Sequence, residues 1–339
     1  MRHRALGATG ISVSELALGT MMFGSYGNPD HEDSVRIIHR ALDAGINVLD
    51  TADIYSDGES KEIVGKAVKG RRDDLVIATK FGFPMGEDPN RRGGSRRWIN
   101  RAVDNSLRRL DTDHIDLYQM HRPDPDTDIA ETLAALTDLV RTGKIRAFGS
   151  SMFPAEQISE ARWTAKEQGS YRFLTEQPMY SVFTRRPEAA VFPTTQRHGL
   201  GVFTFSPLNG GWLSGTHDPR SRRRAAAQPS NFDPTTPTGQ AKDAARSELN
   251  KLAQDAGLTL PQLAIAFAGS HPAVTSVLIG PRTADQLEGL LTAADIELTA
   301  DILDRIDEIV PPGIDLNPAD NYAAAPAALL DKRLRRRQT

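Results

Sequence analysis

The 339-residue chain contains no cysteine, which excludes disulfides, thiol nucleophiles and Cys-ligated zinc or iron–sulfur centres. Its eight histidines show no His-Glu-x-x-His spacing, so no metal site is expected. No apolar run approaches the roughly 20 residues that a membrane-spanning helix needs, and Met1-Arg-His-Arg-Ala-Leu-Gly7 lacks the apolar core of a secretory signal. A cytoplasmic location with no membrane contact is expected. Charge of one sign is not in excess either. The 41 basic and 44 acidic residues leave a formal net charge of −3, which gives no reason to expect nucleic acid as a partner. Also missing is a Gly-x-Gly-x-x-Gly turn after any strand-like segment, on which a Rossmann dinucleotide site depends. A small-molecule enzyme remains. Its 39% hydrophobic content suffices for one large core, as a single (β/α)₈ barrel with extensions or as two domains.

What is present is a repeated alternation of helix and short apolar strand. Gly7-Ala-Thr-Gly10 sits between alternating pieces within residues 2–15, the pattern of a hairpin. Residues 16–19 read as a strand. Met21, Met22, Phe23 and Tyr26 in the following loop either line a pocket or pack on a rim. From residue 30 onward, helices with an apolar stripe alternate with strands near 47–49, 75–79, 115–120, 144–150, 173–177, 201–205 and 274–279. Caps punctuate them: Asp30, Ser95, Thr259 with Gln262, Thr283 and Thr299 open helices, and Gly45, Gly70 and Gly143 close them. Pro154 suits a first helical turn. An irregular stretch at 209–240, carrying Arg222-Arg223-Arg224, suits a lid or a disordered segment, with the next helix spanning 242–256. A Pro/Ala-rich, basic tail after Pro311-Pro312 is expected to be extended or poorly ordered.

Three of these strands end on titratable residues. Asp50 ends one, Lys80 ends the next and His121 ends the one after, with Tyr55 five residues beyond Asp50. In a parallel barrel these C-terminal ends carry the chemistry. A lysine beside the phenol favours phenolate, and an aspartate holds that lysine charged, so the trio forms a tuned proton donor. An ordinary ion pair stitching two strand ends, with Tyr55 a half-buried loop aromatic, is the plain alternative.

The set Asp50, Tyr55, Lys80 and His121 resembles the catalytic tetrad of the aldo-keto reductases, and the resemblance runs over nearly the whole chain. It implies an α/β fold, a (β/α)₈ TIM barrel with an N-terminal β-hairpin cap and extra C-terminal helices. One domain would span 1–339, with the hairpin at about 2–15, the barrel at about 16–292 and the C-terminal helix and tail at about 299–339. The resemblance further implies an extended nicotinamide cofactor across the barrel mouth, NADPH in preference to NADH, and a small carbonyl substrate. Ser151 and Gln177 match contacts to the carboxamide, Phe205 a stacking aromatic, Ser206 and Leu208 the pyrophosphate contacts. Gly280, Arg282 and Gln286 match the segment that binds the adenosine 2′-phosphate. Thr283 and Gln286 also read as a plain capping box.

Departures accompany these matches. Met152 stands where the family usually has an asparagine, and a thioether lacks an amide's donor and acceptor pair. Gly289 and Leu290 replace residues that often contact adenine. Under this resemblance Tyr55 donates the proton, His121 orients the carbonyl, Lys80 tunes Tyr55 and Asp50 anchors Lys80. Two other readings stand beside it: a cofactor-binding redox sensor or adaptor of the same fold with slow turnover, and a lyase forming a Schiff base on Lys80.

Overall fold

The computed structural model describes residues 1–215 and 232–320, together with Lys332, Arg335 and Arg336. The expected lid is thus described only at its two ends. Its arginine run 222–224 and nearly all of the tail beyond 320 lie outside the described residues.

Strands β1 (His3–Ala5) and β2 (Ser12–Ser14) pair antiparallel as the expected hairpin. The barrel follows in chain order: β3 (Leu16–Gly19), β4 (Val48–Asp50), β5 (Val76–Phe81), β6 (Ile115–Met120), β7 (Ile145–Ser151), β8 (Thr175–Gln177), β9 (Gly201–Thr204) and β10 (Ser276–Ile279). Each strand pairs in parallel with the next, and β10 returns to β3 with Val277 opposite Leu16. Parallel neighbours need a crossover, and helices supply it. These are α1 (His31–Asp43), α2 (Glu59–Ala67), α3 (Arg96–Leu110), α4 (Ile129–Arg141), α5 (Ala155–Gln168), α6 (Val191–His198), α7 (Pro237–Asp255), α8 (Leu260–Ser270) and α9 (Ala284–Leu291), with α10 (Ala300–Ile309) beyond the barrel. The architecture is the (β/α)₈ barrel with a hairpin cap. Among the described residues no helix is long and apolar enough to cross a membrane.

Local chemistry sets the helix starts. Asp30, Ser95 and Thr299 each accept a backbone N–H of the first turn, and Thr259 with Gln262 closes a full capping box. Three expectations shift. Helix α7 begins at Pro237, earlier than residue 242, because Thr236 caps it and proline suits the first position. Pro154 is itself the N-cap of α5. Helix α6 was not expected, since Pro193 and the polar Thr194-Thr195-Gln196 hide a short amphipathic turn whose Phe192 and Thr195 are buried.

Two apolar layers result. One lies between strands and helices and includes Leu18, Ile77, Phe148 and Leu136. The other fills the barrel with Ala17, Val48, Ala78, Leu117, Ala147, Phe203 and Leu278, and hairpin residues Leu6 and Val13 close it below. Alternation along a strand therefore decides which side chains reach the barrel mouth. Two residues past these inward positions stand Asp50, Lys80, Gln119, Gly149, Phe205 and Gly280, and one further step reaches His121 and Ser151.

The hairpin seats closely. Gly7 has φ +52, and a Cβ there would lie 2.3 Å from the Gly201 nitrogen. Gly10 has φ +75 with open space around it. Gly7→Ala is expected to cost about 2–4 kcal/mol, left-handed strain plus overpacking against backbone. Gly10→Ala should cost only about 1 kcal/mol. Urea denaturation of both variants checks the difference.

Candidate active site

Asp50 lies opposite Ala78 in the β4–β5 pairing, so Lys80 emerges beside it one alternation further on. The Lys80 ammonium is buried and donates to three acceptors: Asp50 Oδ1, the Thr51 carbonyl at 3.1 Å and the Tyr55 hydroxyl oxygen at 3.4 Å. Three donors thus meet three acceptors. Burial disfavours the charge, but the Asp50 carboxylate and Tyr55 outweigh it, and the Lys80 pKa lies above its ordinary value. Tyr55 sits in the turn Tyr55–Gly58, where Ser56 (φ 48) and Asp57 (φ 53) adopt left-handed backbone. Non-glycine residues hold such angles only where surrounding contacts impose them.

The other Asp50 oxygen accepts from two amides, Gln177 Nε2 at 3.0 Å and Gln119 Nε2 at 3.3 Å. His121 follows β6, its ring edge-on to Phe83 at 4.5 Å and to Tyr55 at 6.1 Å. Burial, reinforced by Lys80, Arg122 and Lys61, holds the His121 pKa well below the ordinary imidazole value. The imidazole is therefore neutral at physiological pH. All four residues expected as a tetrad lie in this one cluster.

The remaining expected residues continue around the rim on β7 to β10. Ser151 Oγ donates to the Gln177 carbonyl at 2.8 Å. Met152 has φ 61, and its sulfur accepts the Met179 N–H at 3.3 Å. Phe205 is half-buried on top of the interior layer. Ser206 (φ 61) opens the next turn and accepts the Gly210 N–H at 3.2 Å, and Leu208 packs on the outer layer. Gly280 has open space where a side chain would stand. Arg282 is exposed, makes no ion pair among the described residues and precedes the N-terminus of α9. Gln286 makes half the capping box: Thr283 accepts its N–H at 3.3 Å, but its own carbonyl accepts from Arg282 N–H at 2.8 Å. It thus shapes the Arg282 turn. An unpaired guanidinium before a helix N-terminus suits a phosphate, and the half-buried Phe205 face suits a ring, so these residues fit a dinucleotide.

Several buried polar groups were not anticipated. Gln119 shares the alternation that leads to His121, a signal the sequence held. Glu176 is buried on β8, accepting from the Ser150 hydroxyl and the Phe153 N–H. Asp53 pairs with Lys61, which also donates to Ser106 Oγ at 2.7 Å. Lys242 donates to Asn209 Oδ1 at 3.1 Å and pairs with Asp320.

Ionisable side chains gathered at the C-terminal ends of β4, β5 and β6, within a closed barrel of eight parallel strands, define an enzyme-type barrel. Residues 15–311 match the model of the Aldo/keto reductase family, and the chain belongs to that family. It is 35% identical over 323 residues to the "Probable voltage-gated potassium channel subunit beta" of Arabidopsis thaliana, covering 91% of this chain and 97% of that one. It is 37% identical over 326 residues (92% and 96%) to the "Uncharacterized oxidoreductase YrpG" of Bacillus subtilis, and 36% identical over 303 residues (86% and 88%) to that organism's "Aldo-keto reductase YhdN".

Glu176 yields a pH prediction. Burial pushes its carboxyl from 4.5 up to about 7, with its hydrogen bonds opposing. The folded chain then binds a proton more readily than the unfolded one. Its contribution to stability is full below about pH 4.5 and is lost as pH rises through about 7. The unfolding free energy of wild type relative to Glu176→Gln should fall by roughly 3 kcal/mol over that interval, as urea titrations at its two ends would measure.

Proposed function

We propose that the protein reduces an aldehyde or ketone to an alcohol in the cytoplasm, with NADPH as the preferred cofactor and NADH a weaker one. The observation that carries this reading is the direction of the bond between Lys80 and Tyr55. The phenol oxygen accepts from a buried, charged ammonium, which leaves the phenol's own proton for another acceptor. Reduced nicotinamide supplies hydride to the carbonyl carbon when bound. Tyr55 gives its proton to the carbonyl oxygen, and neutral His121 offers that oxygen an N–H without competing as the acid. Asp50 keeps Lys80 charged and fixed. Preorganised donors of this kind meet charge as it develops on the oxygen, usually the largest catalytic contribution. For the cofactor, Phe205 supports the ring, Ser151 and Gln177 the carboxamide, Ser206 and Leu208 the pyrophosphate, and Gly280, Arg282 and Gln286 the 2′-phosphate.

A lysine held protonated by Asp50 is a poor nucleophile, which weighs against the Schiff-base reading. The adaptor reading keeps one specific support, the relatives named as potassium channel subunits. Repeated turnover of NADPH with a panel of simple aldehydes, followed by absorbance, supports the enzyme. A single slow turnover supports the adaptor.

Tyr55→Phe should lower kcat by roughly 10²–10⁴-fold, the usual range for a general acid, with NADPH affinity near wild type. Retention of more than about a tenth of kcat would transfer the acid role elsewhere. Arg282→Ala should erase most of the preference for NADPH over NADH in fluorescence titrations, since the guanidinium meets a group only NADPH carries.

A further inference from the structure

Resting on that reading, we infer that Ser56 is a positioning residue, whose hydroxyl ties the loop at 20–28 to the turn carrying Tyr55 and so holds the phenol over Lys80. Up to Asp53 the chain is fixed by the barrel. Thr51 N–H donates to the Ala78 carbonyl at 2.9 Å and Asp53 N–H to the Lys80 carbonyl at 3.0 Å. Beyond Tyr55 the backbone bonds are local to the turn. Ser56, Asp57 and Gly58 are all left-handed, at φ 48, 53 and 98, a run that the first two residues adopt only under outside constraint. Asp57 is exposed, and Gly58 lies against the Arg109 guanidinium. The constraint nearest Tyr55 is therefore the Ser56 side chain. Its Oγ accepts the Tyr26 N–H at 3.0 Å and donates to the Phe23 carbonyl at 3.3 Å, so both capacities of one hydroxyl go to the loop.

The loop can act as a brace because it closes on itself. Asn28 N–H donates to the Met22 carbonyl at 2.8 Å and Gly24 N–H to the Asn28 carbonyl at 2.9 Å. Phe23 is buried beneath it. Gly27 approaches so closely that a Cβ there would lie 2.0 Å from the Met22 carbonyl oxygen. At its start, Thr20 N–H donates to the Asp50 carbonyl at 2.9 Å. Glu59 adds a second grip, accepting the Ser25 N–H at 2.7 Å and pairing with His31 Nε2 at 2.6 Å. The loop thus joins Asp50 to the far side of Tyr55. The Lys80–Tyr55 bond, at 3.4 Å the longest made by that ammonium, is the contact that the position of the turn decides.

Two substitutions separate this role from a purely structural one. Ser56→Gly and Ser56→Ala both remove the hydroxyl, but glycine accepts φ 48 freely and alanine does not. The alanine variant should therefore unfold at a lower urea concentration than the glycine variant. Single-turnover oxidation of bound NADPH by a simple aldehyde should nevertheless slow in both by the same factor, about tenfold or more, the effect of a displaced reacting group. NADPH affinity should stay near wild type, because the turn carries none of the cofactor contacts. Hydrogen exchange across residues 21–28, which needs no substrate, should quicken about fivefold in both variants as the Tyr26 N–H loses its acceptor. If the rate instead follows stability, with glycine near wild type and only alanine slow, the inference is overturned while the reductase reading stands. Unchanged exchange in the loop overturns it equally. If the wild-type chain itself consumes no NADPH with any aldehyde, the functional reading fails and this role for Ser56 falls with it.

Discussion

The buried Lys80–Asp50 pair is the interaction on which the site depends. Removing two charges from water costs several kcal/mol per ion, and their attraction compensates only when every remaining proton and lone pair is satisfied. Here that condition is met from three strands: Thr51 and Tyr55 follow β4, Gln119 lies on β6 and Gln177 ends β8. The need to neutralise one ammonium thus draws the phenol, a carboxylate and two amides into a single rigid cluster.

A second buried pair shows how far the surroundings decide the outcome. Lys61 and Asp53 lie close by, yet burial outweighs Asp53 and pulls the Lys61 pKa down, with Arg109 and Lys80 adding repulsion. The other oxygen of Asp53 has no partner among the described residues. Lys80 has a carboxylate and a phenol facing it and is held charged, whereas Lys61 has one carboxylate, a serine and two repelling cations. The same residue types, both out of reach of solvent, are poised oppositely.

Much of this was legible in the chain because a barrel strand obeys a period of two. Val48, Ala78, Leu117 and Ala147 point inward, and counting forward along each strand reaches Asp50, Lys80, His121 and Ser151 without a structure. Helix caps were equally local, set by a side chain within a few residues of the N–H it accepts. What escaped depends on contacts between distant segments. Nothing near Gln177 tells that its amide meets Asp50, 127 residues earlier. Nothing near Glu176 in the sequence marks it as enclosed by Ser150 and Phe153. Gln286 reads from the sequence as a helix cap, a phosphate contact or both, and nothing local foretells its bond to the Arg282 N–H.

Closure of the barrel also determines how the molecule meets its own copies. With β10 paired to β3, none of the eight barrel strands has a free side to offer as a template for another chain. Among the described residues only β1 and β2 keep unpaired flanks, each three residues long. Around them Arg2 and Arg4 are held by Glu15, charges that resist stacking by a like strand. Among the described residues, intermolecular strand pairing would have to begin at this short, charged hairpin on the barrel floor, at the opposite end from the chemistry. The mouth loops can thus diversify without creating a sticky edge.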